Sequence, residues 1–194
     1  TDEAVSIVFD VPPGLRDSFG HVPGQHLVLR AEIDGDDVRR SYSICSAPGD
    51  PSLRVGIKRI PNGVFSTYAT TALSPGDVVE VMTPIGDFGS ACSKEHTKSY
   101  VMVAAGSGIT PILSMVTAIL RDEPGSEVTL LYGNRTTQTI MFHEDIEALK
   151  NRCHARLQVV HVLSREPHQV PLFQGRIDAE KLRLLAETLI DVPG

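Results

Sequence analysis

The sequence predicts two consecutive domains, an antiparallel β-barrel followed by an α/β domain built on a parallel sheet. Apolar and polar residues alternate through about the first ninety residues, as they do in half-buried strands. From residue 99 onward, short apolar runs instead alternate with segments in which apolar residues recur every three or four positions, which is typical of strand–helix units. We therefore expect the barrel to span residues 1–93 and the α/β domain to span residues 97–194.

Short alternating runs define the strands expected in the barrel. Their apolar positions are Val5, Ile7, Phe9 and Val11; Leu27, Leu29, Ala31 and Ile33; Leu53, Val55 and Ile57; and Val79 and Val81. Turn-forming sequences such as Pro61-Asn62-Gly63 and Ser74-Pro75-Gly76-Asp77 separate them. Many short strands with turns between them predict an antiparallel barrel or sandwich. A polar stretch, residues 90–98, then breaks the pattern and is the expected linker.

Three strand–helix units follow the linker. The expected strands are residues 100–105, 127–132 and 157–163. Helical spacing begins at Ile109, a weaker helix covers residues 142–151, and a last helix follows Asp178 as its N-cap. This order predicts a parallel sheet with crossover helices. Because three parallel strands would leave two exposed edges, we expect the sheet to continue beyond Gly194 and the domain to be incomplete; the alternative is a small complete sheet.

Composition excludes several classes of protein. The formal charge of −6 over 194 residues argues against nucleic-acid binding, and no apolar run is long enough to span a membrane. Cys45, Cys92 and Cys153 are too sparse for a disulfide framework or an iron–sulfur site, which predicts a reducing cytoplasm. No two histidines form a His-x-x-x-His pair and none is spaced with a cysteine as in zinc sites, so we expect no metal site.

One glycine-rich motif lies where the first parallel strand meets its helix. It reads Gly106-Ser107-Gly108-Ile109-Thr110-Pro111. Glycines allow a ligand to approach the backbone, Thr110 is expected to cap the helix, and the positive helix end favours a phosphate. The third glycine of the usual dinucleotide fingerprint is replaced by Pro111, so a tight strand-to-helix turn without a ligand is the alternative interpretation.

Two motifs in the barrel could hold a second ligand. Arg40-Ser41-Tyr42-Ser43 combines a phosphate-binding guanidinium, a flat aromatic face and a small hydroxyl within one strand. Gly63-Val64-Phe65-Ser66, which follows Lys58, could offer backbone N–H groups to a pyrophosphate. An amphipathic strand with exposed arginines and a capped hairpin turn are the respective alternatives.

Two arginines follow the second and third parallel strands. Arg135 ends one strand, and Ser164 with Arg165 ends the next. Ligands of open α/β sheets bind at the carboxyl ends of the strands, so these residues predict a cradle for an additional phosphate. Each arginine taken alone is better explained as a solvated loop residue.

The order and spacing of these motifs resemble the ferredoxin–NADP reductase superfamily across essentially the whole chain. The family holds its flavin with an Arg-x-Tyr-Ser strand and a Gly-x-x-Ser segment, and its nicotinamide cofactor with a Gly-x-Gly-x-Thr-Pro turn. Residues 23–27, 38–45, 131–136 and 175–182 further resemble reductases that serve multicomponent oxygenases. The resemblance implies an FAD-binding barrel, an NADPH-binding α/β domain and hydride transfer from NADPH to FAD.

The resemblance also implies a role for each motif residue. Arg40, Ser41, Tyr42, Ser43, Ile57, Lys58, Gly63, Val64, Phe65 and Ser66 would hold FAD. Gly106, Ser107, Gly108, Ile109 and Thr110 would seat the nicotinamide dinucleotide, and Arg135, Ser164 and Arg165 would bind its 2′-phosphate. Ser43, near the flavin N5, and Thr110, near the reacting rings, are the predicted catalytic residues.

The implied partners are a plant-type [2Fe–2S] ferredoxin domain, expected beyond Gly194, and the subunits of an oxygenase. Neither that domain nor the Cys-Gly-Pro motif of the family lies in these 194 residues. Two alternatives stay open at this point. One is a reductase for a different ring or steroid hydroxylase, and the other is a flavin relay or assembly subunit that does not use nicotinamide.

Overall fold

A computed structural model describes residues 3–89 and 91–189 of the chain. Residue 90, at the start of the expected linker, and residues 190–194, at the end of the expected second domain, lie outside the described part. The first domain contains five strands and one helix within the described residues. In chain order these are β1 (Ala4–Phe9), β2 (His26–Ile33), β3 (Asp36–Ser43), β4 (Leu53–Lys58), α1 (Val64–Thr71) and β5 (Glu80–Val81).

The strands of the first domain form two antiparallel sheets around one core. One sheet pairs β1 with β4, and the other has the order β3-β2-β5. A single bridge between Ile44 and Val55 joins them. Buried side chains from both sheets and from α1, such as Leu29, Val55 and Phe65, pack together between them. The structure confirms the antiparallel fold; the pairing of β4 with the distant β1 is its non-local feature.

The second domain is a parallel sheet with helices on both faces. Its described elements are β6 (Ser99–Ala105), α2 (Ile109–Asp122), β7 (Glu127–Asn134), α3 (His143–Arg152), β8 (Leu157–Leu163) and α4 (Ala179–Leu189). The strand order is β6-β7-β8. Alternate residues of β7 face opposite sides, so that Leu130 packs with α2 and α3 while Leu131 packs with α4. The parallel sheet with crossover helices is therefore confirmed.

The sequence predicted a capping residue at the start of two helices, and the structure confirms one of them. Asp178 caps α4, because its carboxylate accepts a hydrogen bond of 2.8 Å from the backbone N–H of Lys181. Thr110 does not cap α2, and that prediction is wrong. A short 3₁₀ turn, Gly106–Gly108, leads directly into α2, so Thr110 already lies inside the helix and its hydroxyl donates to the Ser107 carbonyl at 3.0 Å.

The face of α2 nearest the first domain carries much of the contact between the domains. The Ser114 hydroxyl donates to the Ser46 carbonyl at 2.6 Å, and Arg121 donates to the Pro48 carbonyl at 2.6 Å. Ser114 is fully buried. Because Thr110 lies one helical turn before Ser114, the helix brings its first turn to the barrel as well.

A second contact between the domains involves the start of α3. Arg54 on β4 forms an ion pair of 2.8 Å with Asp145 and lies over the ring of Phe142, 5.2 Å from its centroid. Phe142 has a left-handed backbone with φ of 57°. The segment that begins α3 is therefore held against the barrel by a charge pair and an aromatic ring.

A buried carboxylate joins the linker to the second domain. Glu123, with a relative exposure of 1%, accepts hydrogen bonds from the Tyr100 hydroxyl at 3.0 Å and the Ser126 hydroxyl at 2.8 Å. It also contacts the His96 ring nitrogen at 2.7 Å and the Ser93 amide at 3.3 Å. Burial opposes ionisation of Glu123, but these hydrogen bonds outweigh it and lower the pKa of the carboxyl to about 2.

None of the helices within residues 3–89 and 91–189 has both the length and the apolar character required to cross a membrane.

Candidate functional site

Residues predicted to be catalytic lie on the two walls of one cleft between the domains. The Ile44–Val55 bridge places Ser43, the preceding residue of β3, across from Gly56 on β4. A Cβ atom at Gly56 would lie 3.0 Å from the Thr110 methyl group. Ser43 and Thr110 therefore approach the same glycine from opposite domains. We refer to this junction, with the motifs on either side of it, as the cleft.

The Arg40 motif presents a cation and an aromatic ring on one side of β3. Arg40 and Tyr42 are two residues apart in the strand and so point to the same face, whereas Ser41 is exposed on the other. The Tyr42 ring packs 5.6 Å from the ring of Phe65, and burial raises the pKa of its hydroxyl while the charge of Arg40 opposes that rise. An exposed guanidinium beside a fixed ring suits a ligand that has a phosphate and a flat heterocycle.

The predicted residues of β4 differ in what they can offer to a ligand. Ile57 is fully buried in the barrel core, so only its backbone could face a ligand. Lys58 is largely buried, and its ammonium lies 3.7 Å from the Glu3 carboxylate. Lys58 is therefore the residue of this pair whose side chain can reach an anion.

The Gly63 motif forms the entrance to α1. Gly63 is the N-cap, and the Ser66 hydroxyl donates to the Gly63 carbonyl at 3.2 Å while accepting from the Ile60 amide at 3.3 Å. Phe65 is buried against Tyr42, whereas Val64 is about half exposed. The Ser66 hydroxyl thus shapes the turn, and the free groups that the motif offers are backbone amides at the helix start.

The turn before α2 is open to an approaching ligand. No described atom lies within 4 Å of a Cβ built at Gly106 or at Gly108, and Gly106 has a left-handed φ of 52°. The Tyr132 hydroxyl donates to the Gly106 carbonyl at 3.0 Å, and burial raises the pKa of Tyr132 to about 12, which keeps it a donor. Ile109 is fully buried under the turn and Ser107 is exposed beside it.

One buried amide at this edge of the sheet was missed by the sequence analysis. The side-chain nitrogen of Asn134, the last residue of β7, is buried and has no hydrogen-bond partner among the described residues. A buried donor without a partner is costly, so a polar ligand at the carboxyl edge would satisfy it. The only sequence signal was its place directly before Arg135 at a strand end.

The two arginines expected to form a cradle lie on neighbouring backbone segments. Backbone pairing continues past β7 and β8, since the amide of Ser164 donates to Asn134 at 2.9 Å and that of Arg165 donates to Arg135 at 2.8 Å. Both arginines are exposed. The neighbouring Glu166 carboxylate accepts hydrogen bonds from the amide and the hydroxyl of Thr137 at 2.7 and 2.8 Å.

A cavity of about 400 Å³ lies elsewhere on the contact between the domains. It is formed by β1 and the segment before and at the start of α3, and none of the predicted site residues is among its described lining. We place the site at the cleft instead, because the cleft brings together an exposed cation, an aromatic ring, an open glycine turn and an unsatisfied buried amide.

Two family models match the chain, one for each domain. The oxidoreductase FAD-binding domain matches residues 4–89, and the oxidoreductase NAD-binding domain matches residues 102–191. Together they cover both halves of the cleft described above.

Curated relatives include reductase components of oxygenases. The chain is 43% identical over 191 residues to a component of the 1,2-phenylacetyl-CoA epoxidase of Escherichia coli K12, covering 98% of the chain and 54% of that protein. It is 38% identical over 188 residues to the ferredoxin reductase component of 3-ketosteroid-9-alpha-monooxygenase of Rhodococcus rhodochrous, covering 96% and 50%. The chain thus spans about half the length of the curated relatives it matches.

A solved structure shares the arrangement of the two domains. The CS-b5R domains of human Ncb5or in the NAD+ form superpose with a TM-score of 0.79 at 28% identity. The match covers 99% of this chain and 55% of that one.

Proposed function

Since the chain belongs to the ferredoxin reductase family of FAD- and NAD-binding oxidoreductases, we propose that it is the reductase of a multicomponent oxygenase. FAD, when bound, supplies the redox chemistry, because it accepts hydride from NADPH and passes the electrons singly to a [2Fe–2S] centre. The observation that supports this proposal most directly is the approach of Ser43 and Thr110 to Gly56 from opposite domains.

On the barrel side, the chain binds and orients the flavin. Arg40 would pair with the pyrophosphate, assisted by Lys58 and by the backbone amides at the start of α1. Tyr42, which packs on Phe65, would lie against the flavin ring, and Ser43 would offer a hydrogen bond to it. A fixed ring and a fixed hydroxyl reduce the ordering that the reaction would otherwise require.

On the α/β side, the chain seats the nicotinamide dinucleotide. The open turn at Gly106 and Gly108 would allow the backbone to approach the pyrophosphate, and Asn134 would supply a donor for it or for the attached sugar. Thr110, which contacts Gly56 of the barrel, would lie near the nicotinamide ring. Hydride transfer needs no general acid or base, which agrees with a cleft that relies on positioning.

The oxygenase we propose as a partner is phenylacetyl-CoA epoxidase, on the similarity to the component of that enzyme named above. The similarity to a ketosteroid monooxygenase component supports the alternative of a steroid hydroxylase. We propose that a plant-type ferredoxin domain outside residues 1–194 holds the [2Fe–2S] centre, since all three cysteines of the described chain are free and lie apart. The domain boundaries at residues 93 and 97 and a cytoplasmic location remain predictions.

Changing Arg40 to alanine should weaken FAD binding by roughly 10- to 100-fold, because a charge-assisted hydrogen bond to phosphate is worth about 1.5–3 kcal/mol. The measurement is a titration of the apoprotein with FAD, monitored by the quenching of flavin fluorescence. Arg39→Ala is the matched control, since Arg39 is on the opposite face of β3 and pairs with Asp37 at 3.1 Å. A wild-type chain that shows no binding in this titration would overturn the proposed function.

Changing Arg165 to alanine should reduce kcat/KM for NADPH by roughly 10- to 100-fold and leave that for NADH almost unchanged, because only NADPH carries the 2′-phosphate. Both values of kcat/KM are measured by mixing the FAD-loaded chain rapidly with each nicotinamide and monitoring the loss of flavin absorbance. Arg152→Ala, at the exposed end of α3, serves as the control. Equal losses with both nicotinamides would refute the role of Arg165, and a wild-type flavin that does not bleach at all would favour the relay alternative.

A further inference from the structure

Two histidines and a glutamate meet on the second domain, away from the cleft. His143 and Glu147 are one turn apart on α3, and His161 projects from β8 beside them. One ligand atom from each of the three side chains lies within 4.8 Å of the others. The imidazole rings of His143 and His161 are 5.9 Å apart between centroids.

His161 is the residue of this cluster that points most strongly to a bound ligand. Both of its ring nitrogens are buried, and neither has a hydrogen-bond partner among the described groups of the chain. One side of its ring is covered by Tyr132, whose centroid is 5.8 Å away. When both nitrogens of a neutral imidazole are buried without partners, they lose their hydrogen bonds to water and gain none in return. This lowers the stability of the fold, and a bound electrophile that accepts a lone pair from the ring would restore it.

The geometry of the other two residues fits a shared ligand. Residues four apart on a helix lie on one face, so His143 and Glu147 both point toward β8. Donor atoms around a tetrahedral zinc ion are roughly 3.4 Å apart, given metal–donor distances of about 2.0–2.2 Å. Closing the present separation of up to 4.8 Å requires a shift of about 1 Å, which the exposed side chain of His143 can make.

We propose that His143, Glu147 and His161 form a binding site for a divalent transition-metal ion, with zinc as the ion that the ligand set suits best. Two imidazoles and one carboxylate are a known protein ligand set for zinc, with water in the fourth position. That position is accessible, because the cavity of about 400 Å³ beside β1 is lined in part by His143.

Glu147 is already in weak contact with a cation of its own helix. The ammonium of Lys150 lies 3.9 Å from the Glu147 carboxylate, and both side chains are partly exposed. An exposed ion pair at that distance contributes little to stability. We therefore expect a divalent ion to displace Lys150 from Glu147.

A metal at this site would fasten α3 to β8. The first turn of α3 also holds Asp145 against Arg54 and follows Phe142, which packs on Gly56 of the barrel. Zinc would therefore stiffen the segment that joins the parallel sheet to the first domain. The site is distinct from the cleft and does not depend on the proposed reductase activity.

The test is titration of the chelator-treated chain with zinc chloride by isothermal calorimetry. We expect one zinc per chain and, at zinc about 100-fold above the Kd, a rise in Tm of roughly 5–10 °C. Cobalt chloride is a second probe, since a tetrahedral cobalt site gives intense visible absorption that an octahedral surface site lacks.

The variants His143→Ala, Glu147→Gln and His161→Ala should each weaken zinc binding by at least tenfold and reduce the rise in Tm by about half or more, whereas His154→Ala, at an exposed histidine, should change neither. His143 is exposed, so its variant keeps the test valid if the His161 variant misfolds. Unchanged zinc binding in His143→Ala and Glu147→Gln, or no saturable binding by the wild-type chain, would overturn the proposal.

Discussion

Replacing Gly56 with valine should slow hydride transfer from NADPH by about 100-fold, because a displacement of about 1 Å between reacting groups has an effect of this size. A Cβ at this position would lie 2.6 Å from the tip of the Phe142 ring and 3.0 Å from the Thr110 methyl. Both neighbours belong to the second domain, so the added side chain has to push that domain away from β4.

The measurement is the rate at which flavin absorbance is lost after rapid mixing of FAD-saturated chain with NADPH. Gly14→Val is the control, because no described atom lies within 4 Å of a Cβ there. Gly56→Ala should give an intermediate rate. A Gly56→Val variant that reduces its flavin as fast as the wild type would show that the two domains do not meet over Gly56 during the reaction.

Replacing Glu123 with alanine should lower the free energy of unfolding by about 3–5 kcal/mol, since each buried donor that loses its partner costs about 1–3 kcal/mol. The groups that lose their partner are the Tyr100 hydroxyl, the Ser93 amide and the His96 ring, whereas the Ser126 hydroxyl can still donate to the His96 carbonyl at 3.2 Å. Chemical denaturation followed by circular dichroism measures the change. Glu127→Ala, at an exposed carboxylate on β7, should alter stability by less than about 0.5 kcal/mol.

Stability of the wild-type chain should also depend on the ionisation of Glu123. Its folded pKa of about 2 lies below the ordinary value of 4.5, so the unfolded chain binds the proton more readily. The stabilisation is therefore complete above about pH 4.5 and is lost as the pH falls toward 2. Glu123→Ala should lack this part of the pH dependence, and an identical acid profile in both proteins would contradict the assignment.

Local patterns in the sequence predicted much of the fold and identified the candidate site residues. Alternation and helical spacing identified the strands and helices because those periods follow directly from backbone geometry. Asp178 could be identified as a cap because capping depends on residues three apart in the chain. The motifs around Arg40 and Gly106 were recognisable because each lies within one short segment.

Features that depend on distant residues could not be predicted in the same way. The hydrogen bonds to Glu123 come from residues 93 to 126, and nothing in its local sequence distinguishes it from an exposed helix-end glutamate. Ile57 fits the motif but turns its side chain into the core, because the pairing of β4 with β1 sets which face is buried. His161 meets His143 only after the crossover from α3 to β8 is formed.

The chain that joins the two domains is fixed to the barrel on one side and to the second domain on the other. A Cβ on Gly89 would collide with the Pro23 carbonyl, so the chain is still held to the barrel at that residue. From Ser93 onward it is fastened to the second domain through Glu123 and Ser126. Any swivelling of one domain on the other would therefore have to break the contacts of Arg54 with Asp145 and of Ser114 with Ser46, because these hold the domains together independently of the linker.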